Sequence, residues 1–338
     1  MTKIMMTLKM MMTPFEKILE YINSKDKANI ALGFTLLKNY KKDFERYYDC
    51  SYRDGVKLLK FLVKYRDYLE IKYISKRYFI ESNWQVDVPF EKIVSLEIAM
   101  YSPIRANNLP NELKLLVSLE SFIVMKKNMS KIPDFIFSLP FLKHLILPEN
   151  QITEIPKEIE NLKHLEVLDL YHNNIKQVAP EMGNLQFLKM LRLNGSHKLK
   201  YFPKCITQLP NLEHLEMENC ALPEIPKEIS NLKKLKILSA RFNQIKEFPE
   251  TIEYLTAIEE MDFAINQIKK IPSNLSKLKK IRVINLPHNF VNSLPEDIEL
   301  PESLEKLDLS FNDLNSCPIS FKKIKTLTMH QNNFYTNK

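Results

Sequence analysis

Eleven times along this chain a pair of apolar residues brackets one variable residue, and the interval between pairs hardly changes. The first members of the pairs are Leu96, Phe122, Leu145, Leu168, Leu191, Leu215, Leu238, Met261, Ile284, Leu307 and Leu327. The steps are 23 residues in the middle, 24 from Leu191 to Leu215, 26 at the start and 20 at the end. A fixed period of this size marks a solenoid, in which each unit buries its apolar side only against its neighbours. The apolar–variable–apolar alternation has the period of a strand, so both apolar side chains point inward and the residue between them points outward. Stacked units then make one parallel sheet, advancing about 4.8 Å per unit.

Two further columns run through the units. Asn150, Asn173, Asn243, Asn266, Asn289, Asn312 and Asn332 share one position, which Cys220 fills once and Lys127 and Ser196 break. An amide side chain has donors and an acceptor with which to tie down the turn leaving the strand. The second column is Pro133, Pro156, Pro203, Pro226, Pro249, Pro272, Pro295 and Pro318, with Ala179-Pro180 one residue out of phase. Proline fixes φ and cannot donate to a ladder, so it suits the corner after the strand and the start of a short helix or 3₁₀ turn. The 24-residue unit places its extra residue near Gly195-Ser196-His197, where a bulge is expected.

The unit Leu165-Glu166-Val167-Leu168-Asp169-Leu170-Tyr171-His172-Asn173-Asn174-Ile175 reads L-x-x-L-x-L-x-x-N-x-I. It resembles the leucine-rich-repeat family. The subtype it looks most like is the intracellular one with a proline in each 23-residue repeat, as in Ras-pathway scaffold and plant disease-resistance-type domains. The resemblance implies an α/β solenoid, with a curved parallel sheet on the concave side and short helices or 3₁₀ turns on the convex side. It also implies a non-enzymatic protein-binding scaffold that uses the concave face, in intracellular signalling, with a small GTPase among the candidate partners.

The domain reading is a start at residues 1–12 that is disordered or mis-assigned, a helical capping segment at 13–90, and about eleven repeats over 91–338. Thr13-Pro14-Phe15-Glu16 forms a capping box, so a helix should run to about Asn23. A second is expected from Asp26 to about Tyr48 on the Ile30, Phe34, Leu37 stripe, and a third from Ser51 to about Tyr68. Tyr78–Ile80 reads as a strand, and Pro89–Ile93 leads into the first repeat. Residues 1–90 hold seventeen Lys and Arg against eleven Asp and Glu, so they carry +6 of the chain's net +8, and nine of its fourteen tyrosines. This basic, Tyr-rich surface leaves a second reading open, a nucleic-acid or anionic-membrane-surface binder. The intermixed acids favour a solvated cap.

Cys50, Cys205, Cys220 and Cys317 form neither a disulfide framework nor a zinc spacing, which favours a reducing, cytoplasmic setting. Cys220 and Cys317 read as inward positions and Cys205 as a convex surface one. No apolar run is long enough for a membrane span, and the Met-rich opening has no cleavage site. A secreted or surface effector is the third reading.

No catalytic motif is present, and no catalytic, cofactor-binding or metal-ligating residue is assigned. His144 and His214 fall about 14 Å apart by strand spacing, too far to share a metal. Asp169, Glu216, Asp262 and Asp308 share the outward position, with members two repeats apart and thus about 10 Å, which makes them charge on a binding surface. The candidate protein-binding residues are Tyr171, His172, Arg192, Glu216, Glu218, Arg241, Phe242, Asp262, Ile265, His288 and Phe311. Aromatics and Arg are enriched at interface hot spots, and the mixture of signs points to a protein rather than a polyanion. In relatives, the position just before the Asn often holds an aromatic or apolar residue that packs along the turn. That applies to His172, Phe242, Ile265, His288 and Phe311.

Overall fold

Helix α1 (Pro14–Ile22) begins on the expected capping box. The Glu16 amide donates to Thr13 Oγ1 at 3.2 Å, and the Thr13 amide donates to Glu16 Oε2 at 2.7 Å. The computed structural model describes residues 13–48, 50–65, 69–75, 78–82, 90, 93–98, 100–105, 109–294, 298–318, 321 and 323–333. The expectations for residues 1–12, Tyr68, Pro89 and Pro295 lie outside these. The chain divides into two units: Met1–Lys127 with Pro133–Leu142, and Asn128–Ile132 with Lys143–Lys338.

In the first unit, the expected second helix is two. Helix α2 (Lys27–Leu37) and helix α3 (Lys41–Tyr48) are joined by a 3₁₀ turn, Lys38–Tyr40. Leu37, Phe44 and Tyr48 are buried while Ile30 and Phe34 are only half-buried. Gly33 lets α2 approach α1, because a Cβ there would lie 2.6 Å from Ile22 Cγ1. Helix α4 (Tyr52–Tyr65) starts where expected, with the Asp54 amide on Ser51 Oγ.

Strands β1 (Leu69–Ser75) and β2 (Tyr78–Ser82) form an antiparallel hairpin, and β1 also pairs antiparallel with β3 (Ile93–Ile98). Sequence reading found β2 and missed β1, although Leu69, Ile71 and Tyr73 alternate with Glu70 and Lys72 in strand period. Strand β3 then pairs in parallel with β4 (Ser121–Val124), with Leu96 opposite Phe122. Tyr48 stacks on Phe90 with centroids 4.4 Å apart, so one of the tyrosines of the basic segment is core.

The second unit holds nine parallel three-residue strands, at 144–146, 167–169, 190–192, 214–216, 237–239, 260–262, 283–285, 306–308 and 326–328. They stand side by side in chain order, and the apolar column stays in register from Leu145 opposite Leu168 to Leu307 opposite Leu327. The extra residue of the 24-residue unit makes no bulge in the strand. A turn after it absorbs the residue, with the Ser196 amide on Leu193 O, and Leu191 still faces Leu215. The prolines act as read. 3₁₀ helices follow Pro156, Pro203, Pro226 and Pro272 directly, and the out-of-phase Pro180 is itself the first residue of one. In the Pro156 unit Ile159, Leu162 and Leu165 are buried, while Lys157, Glu158 and Lys163 are exposed.

The asparagines rivet unit to unit. Asn266 Nδ2 donates to Phe263 O in its own repeat and to Ala240 O in the preceding one, and its Oδ1 accepts the Ile245 amide at 3.0 Å. Asn173, Asn243, Asn289 and Asn312 make the same set. Each satisfies backbone groups that burial would otherwise leave unpaired. Two exceptions keep the function by other chemistry. Cys220 Sγ reaches Leu193 O, and burial pushes its thiol up to about 12. In the first unit Lys127 puts its ammonium on Met100 O and Ser102 O at 2.8 and 2.9 Å, with its pKa lowered by burial.

Two cysteine readings need correction. Cys205 is buried rather than on a surface, since it lies in the 3₁₀ turn 204–208, packed near Gly183. Cys317 is exposed rather than inward, in the shortened last unit.

Candidate protein interface

Four positions per repeat line the open face of the sheet: the residue before the first inward one, the residue between the pair, and the two that follow. The last of these, immediately before the Asn column, has a left-handed backbone in every repeat of the second unit. Its φ is 51–56° at Glu149, His172, Asn219, Phe242, Ile265, His288, Phe311 and Gln331, and 81° at Gly195. For a residue with a Cβ that conformation costs roughly 1–2 kcal/mol, and for a β-branched one such as Ile265 it is rare. The sharp corner that hands each chain turn to its Asn rivet imposes it.

Between Leu168 and Leu238 the face is polar and paired within itself. Arg192 donates from Nη1 to Asp169 Oδ2 and from Nε to Glu216 Oε2, each at 2.9 Å. Burial opposes the Arg192 charge, but the two carboxylates outweigh it and raise its pKa. Asn194 adds a second donor to Glu216, Arg192 lies over the Tyr171 ring, and Ser239 Oγ donates to Glu218 at 2.7 Å. The carboxylates Asp169 and Glu216, read as separate surface charges, are therefore two ends of one bridge.

From Phe242 to Phe311 the left-handed column holds large side chains, three of them apolar and one a histidine. Phe242, Ile265 and Phe311 are 47%, 36% and 42% exposed, so their side chains gain little from the core. His288 stacks on Phe311 at 4.1 Å with planes 11° apart, and His330, a concave-face position outside the candidate binding residues, meets Phe311 edge-on at 5.1 Å. Arg241 sits over Phe242 and 3.8 Å from Asp262, which also accepts the Asn285 amide. Of the eleven sequence-assigned residues, Tyr171, Arg192, Glu216 and Glu218 lie in or beside the polar bridge, with His172 packed on Tyr171. Phe242, Ile265, His288 and Phe311 form the row, and Arg241 pairs with Asp262 beside it.

Across the four face positions of the nine repeats, Glu149, Asp169, Glu216, Glu218, Glu260, Asp262 and Asp308 stand against Arg192, Arg241 and Lys306. The face is net acidic on a chain of net charge +8.

A feature not read from the sequence borders the face where the strands begin. Two residues before each first inward residue stand Lys143, Glu166, Lys189, Glu213, Lys236, Glu259, Arg282, Glu305 and Lys325, in strict alternation of sign. Lys189 pairs with Glu166 at 2.6 Å, Lys236 with Glu213 at 2.7 Å and Arg282 with Glu305 at 2.9 Å. The Lys189 and Lys236 hydrogen bonds hold the Glu166 and Glu213 carboxyls below their ordinary range. Comparing one column across repeats would have revealed it.

Among the described residues no three His, Cys, Asp or Glu side chains gather as a metal site requires. Nor is any helix there long and apolar enough to cross a membrane.

A parallel solenoid of 23-residue units, with an inward apolar column and an Asn rivet per unit, defines a class of repeat protein. Residues 134–244 match the model of a leucine-rich repeat region, and residues 303–324 match that of a leucine-rich repeat. Over those residues the chain carries leucine-rich repeats, and its fold is that of a leucine-rich-repeat solenoid. No curated protein sequence matches it. Among solved structures it is similar to a leucine-rich-repeat protein of Leptospira interrogans, at 26% identity and TM-score 0.55 over 67% of this chain and 64% of that one. It is similar to an internalin of Listeria monocytogenes at 19% identity and TM-score 0.58, covering 72% and 75%. It also resembles the repeat ectodomain of the Arabidopsis receptor kinase HAESA, solved with a peptide hormone ligand, at 26% identity and TM-score 0.57, covering 66% and 40%. The chain thus spans just under two thirds of the Leptospira protein and well under half of the receptor ectodomain. The matching families are repeat families, and domains of this fold commonly bind proteins.

Proposed function

We propose that this chain is a non-enzymatic scaffold that holds a protein partner on the open face of its repeat sheet. The observation that carries the reading is the left-handed row Phe242, Ile265, His288 and Phe311. Large side chains sit there at a backbone cost, exposed, where glycine would relieve the strain. The peptide seen on the HAESA ectodomain lends support from a similar fold. The four cysteines, whose spacing forms no disulfide framework, agree with a reducing cytoplasmic setting, and the proline column with the intracellular signalling subtype.

The test is a pull-down from lysate of the source cell, read by mass spectrometry, with Phe242→Ser/Phe311→Ser as the comparison bait. A protein held by the intact chain and lost by the variant, at unchanged urea midpoint, is the expected result. Equal capture by both moves the site off this face. Recovery of nucleic acid or lipid in place of protein would promote the basic N-terminal segment instead.

A further inference from the structure

The same face has a charge that its chain does not share, and together with the apolar row this narrows the partner. Resting on the scaffold reading, we infer that the open face takes an extended segment of a protein partner that is basic and carries apolar side chains at alternate positions. Three observations lead there.

The first is the geometry of the row. Phe242, Ile265, His288 and Phe311 occupy one column in four successive repeats, so the row is about 14 Å long at strand spacing. Residues i, i+2 and i+4 of an extended segment share one side and span about 13 Å. A segment lying across the strands can therefore set three side chains along the row. A helix would match the row only through residues three or four apart, so the spacing of apolar residues in a bound peptide separates the two forms.

The second is charge. The face carries seven carboxylates against three basic groups while the whole chain is +8. Arg192 already bridges two of those carboxylates, and Arg241 sits beside a third. Two of the three basic groups are thus engaged with the face's own acids, Lys306 stands against the four other carboxylates, and the net potential is negative. Such a surface attracts a cationic segment and repels nucleic acid or an anionic membrane.

The third is rigidity. The stacked His288 and the edge-on His330 hold the Phe311 ring in place before any partner arrives, and a preset anchor lowers the ordering cost of binding.

The experiment uses the full chain and a phage-displayed library of random dodecapeptides. Enriched sequences are synthesised and titrated by fluorescence anisotropy. The expected outcome is enrichment of peptides with net positive charge and apolar residues at alternate positions. These should bind Phe311→Ser at least about tenfold more weakly than the intact chain, the loss that marks a hot-spot residue. Glu218→Lys/Glu260→Lys should bind them more weakly too, with a shallower dependence on salt. Because the substituted side chains are exposed or half-exposed, all variants should keep the urea midpoint of the intact chain to within ordinary surface effects. Enrichment of acidic peptides, equal binding to Phe242→Ser/Phe311→Ser, or no enrichment on the intact chain would each overturn this inference. The scaffold reading stands or falls separately. It survives those results if the pull-down still yields a protein lost by the same double variant, and it falls if that variant captures every protein equally.

Discussion

The stretch from Asp169 to Glu218 and the stretch from Phe242 to Phe311 use the same strands and the same left-handed corner, with Ser196 standing in for one Asn rivet of the first, yet they present different surfaces. In the first, charged side chains meet across neighbouring repeats and satisfy one another. In the second, rings and an isoleucine stand half in water. The difference teaches that charge on a repeat face is a poor guide to where a partner sits, because the next repeat, about 4.8 Å away, is the partner within reach. An exposed apolar side chain in a strained conformation has no such internal account, and so marks the surface left for something else.

If the scaffold is common to both stretches, Asn173→Ala and Asn266→Ala should be equally harmful. Each strips its set of buried hydrogen bonds and should cost about 3 kcal/mol or more, read from urea unfolding. A clear inequality would mean that the two halves differ in their frame as well as their surface. Next in size, Arg192→Leu should destabilise by roughly 2 kcal/mol, because it leaves the buried Asp169 and half-buried Glu216 carboxylates without their cation. Phe311→Ser should change stability little. The reverse ranking would break the contrast.

Ile265→Gly should raise stability by about 0.5–1 kcal/mol, since relief of a left-handed β-branched residue exceeds the extra freedom glycine brings to the unfolded chain. A drop in the unfolding midpoint would show that this side chain supports the fold after all. The smallest effect concerns acid. The Glu166 and Glu213 carboxyls are depressed by Lys189 and Lys236, so their contribution is full above the unfolded carboxylate range and is lost as pH falls through the folded value. Glu166→Gln/Glu213→Gln should therefore flatten the fall in urea midpoint below about pH 4.5. A slope equal to that of the intact chain would remove the rim from the acid response.

Most of the frame could be read from the sequence because it is periodic. The inward column, the Asn rivets and the proline corners each repeat with a physical reason attached, and a single misplaced residue such as Pro180 does not disturb the count. What escaped lay between repeats or outside the period. The bridge Asp169–Arg192–Glu216 is visible only when adjacent members of a column are read together, and reading every second member hid it. Gly195 held the clue to the left-handed corner. It is the one glycine in a column that otherwise holds glutamate, histidine, asparagine, phenylalanine, isoleucine and glutamine, and glycine is the residue that adopts such a φ freely. The break between α2 and α3 had no comparable signal, because the stripe of Leu37, Phe44 and Tyr48 fits a continuous helix nearly as well.

The alternating rim gives the array a parity. The fold repeats every unit, but the rim repeats every second one, a couplet of about 46 residues at the prevailing step. Excising a single unit after Glu166 would set it beside Glu213, two like charges in contact. Excising two would set it beside Lys236 and restore opposite neighbours. An array marked in this way can grow or shrink by even numbers without a fault in its border, and an odd change leaves a seam. Units that look interchangeable in their cores are thus of two kinds, and the smallest piece that can be copied into this sheet without leaving a trace is a pair.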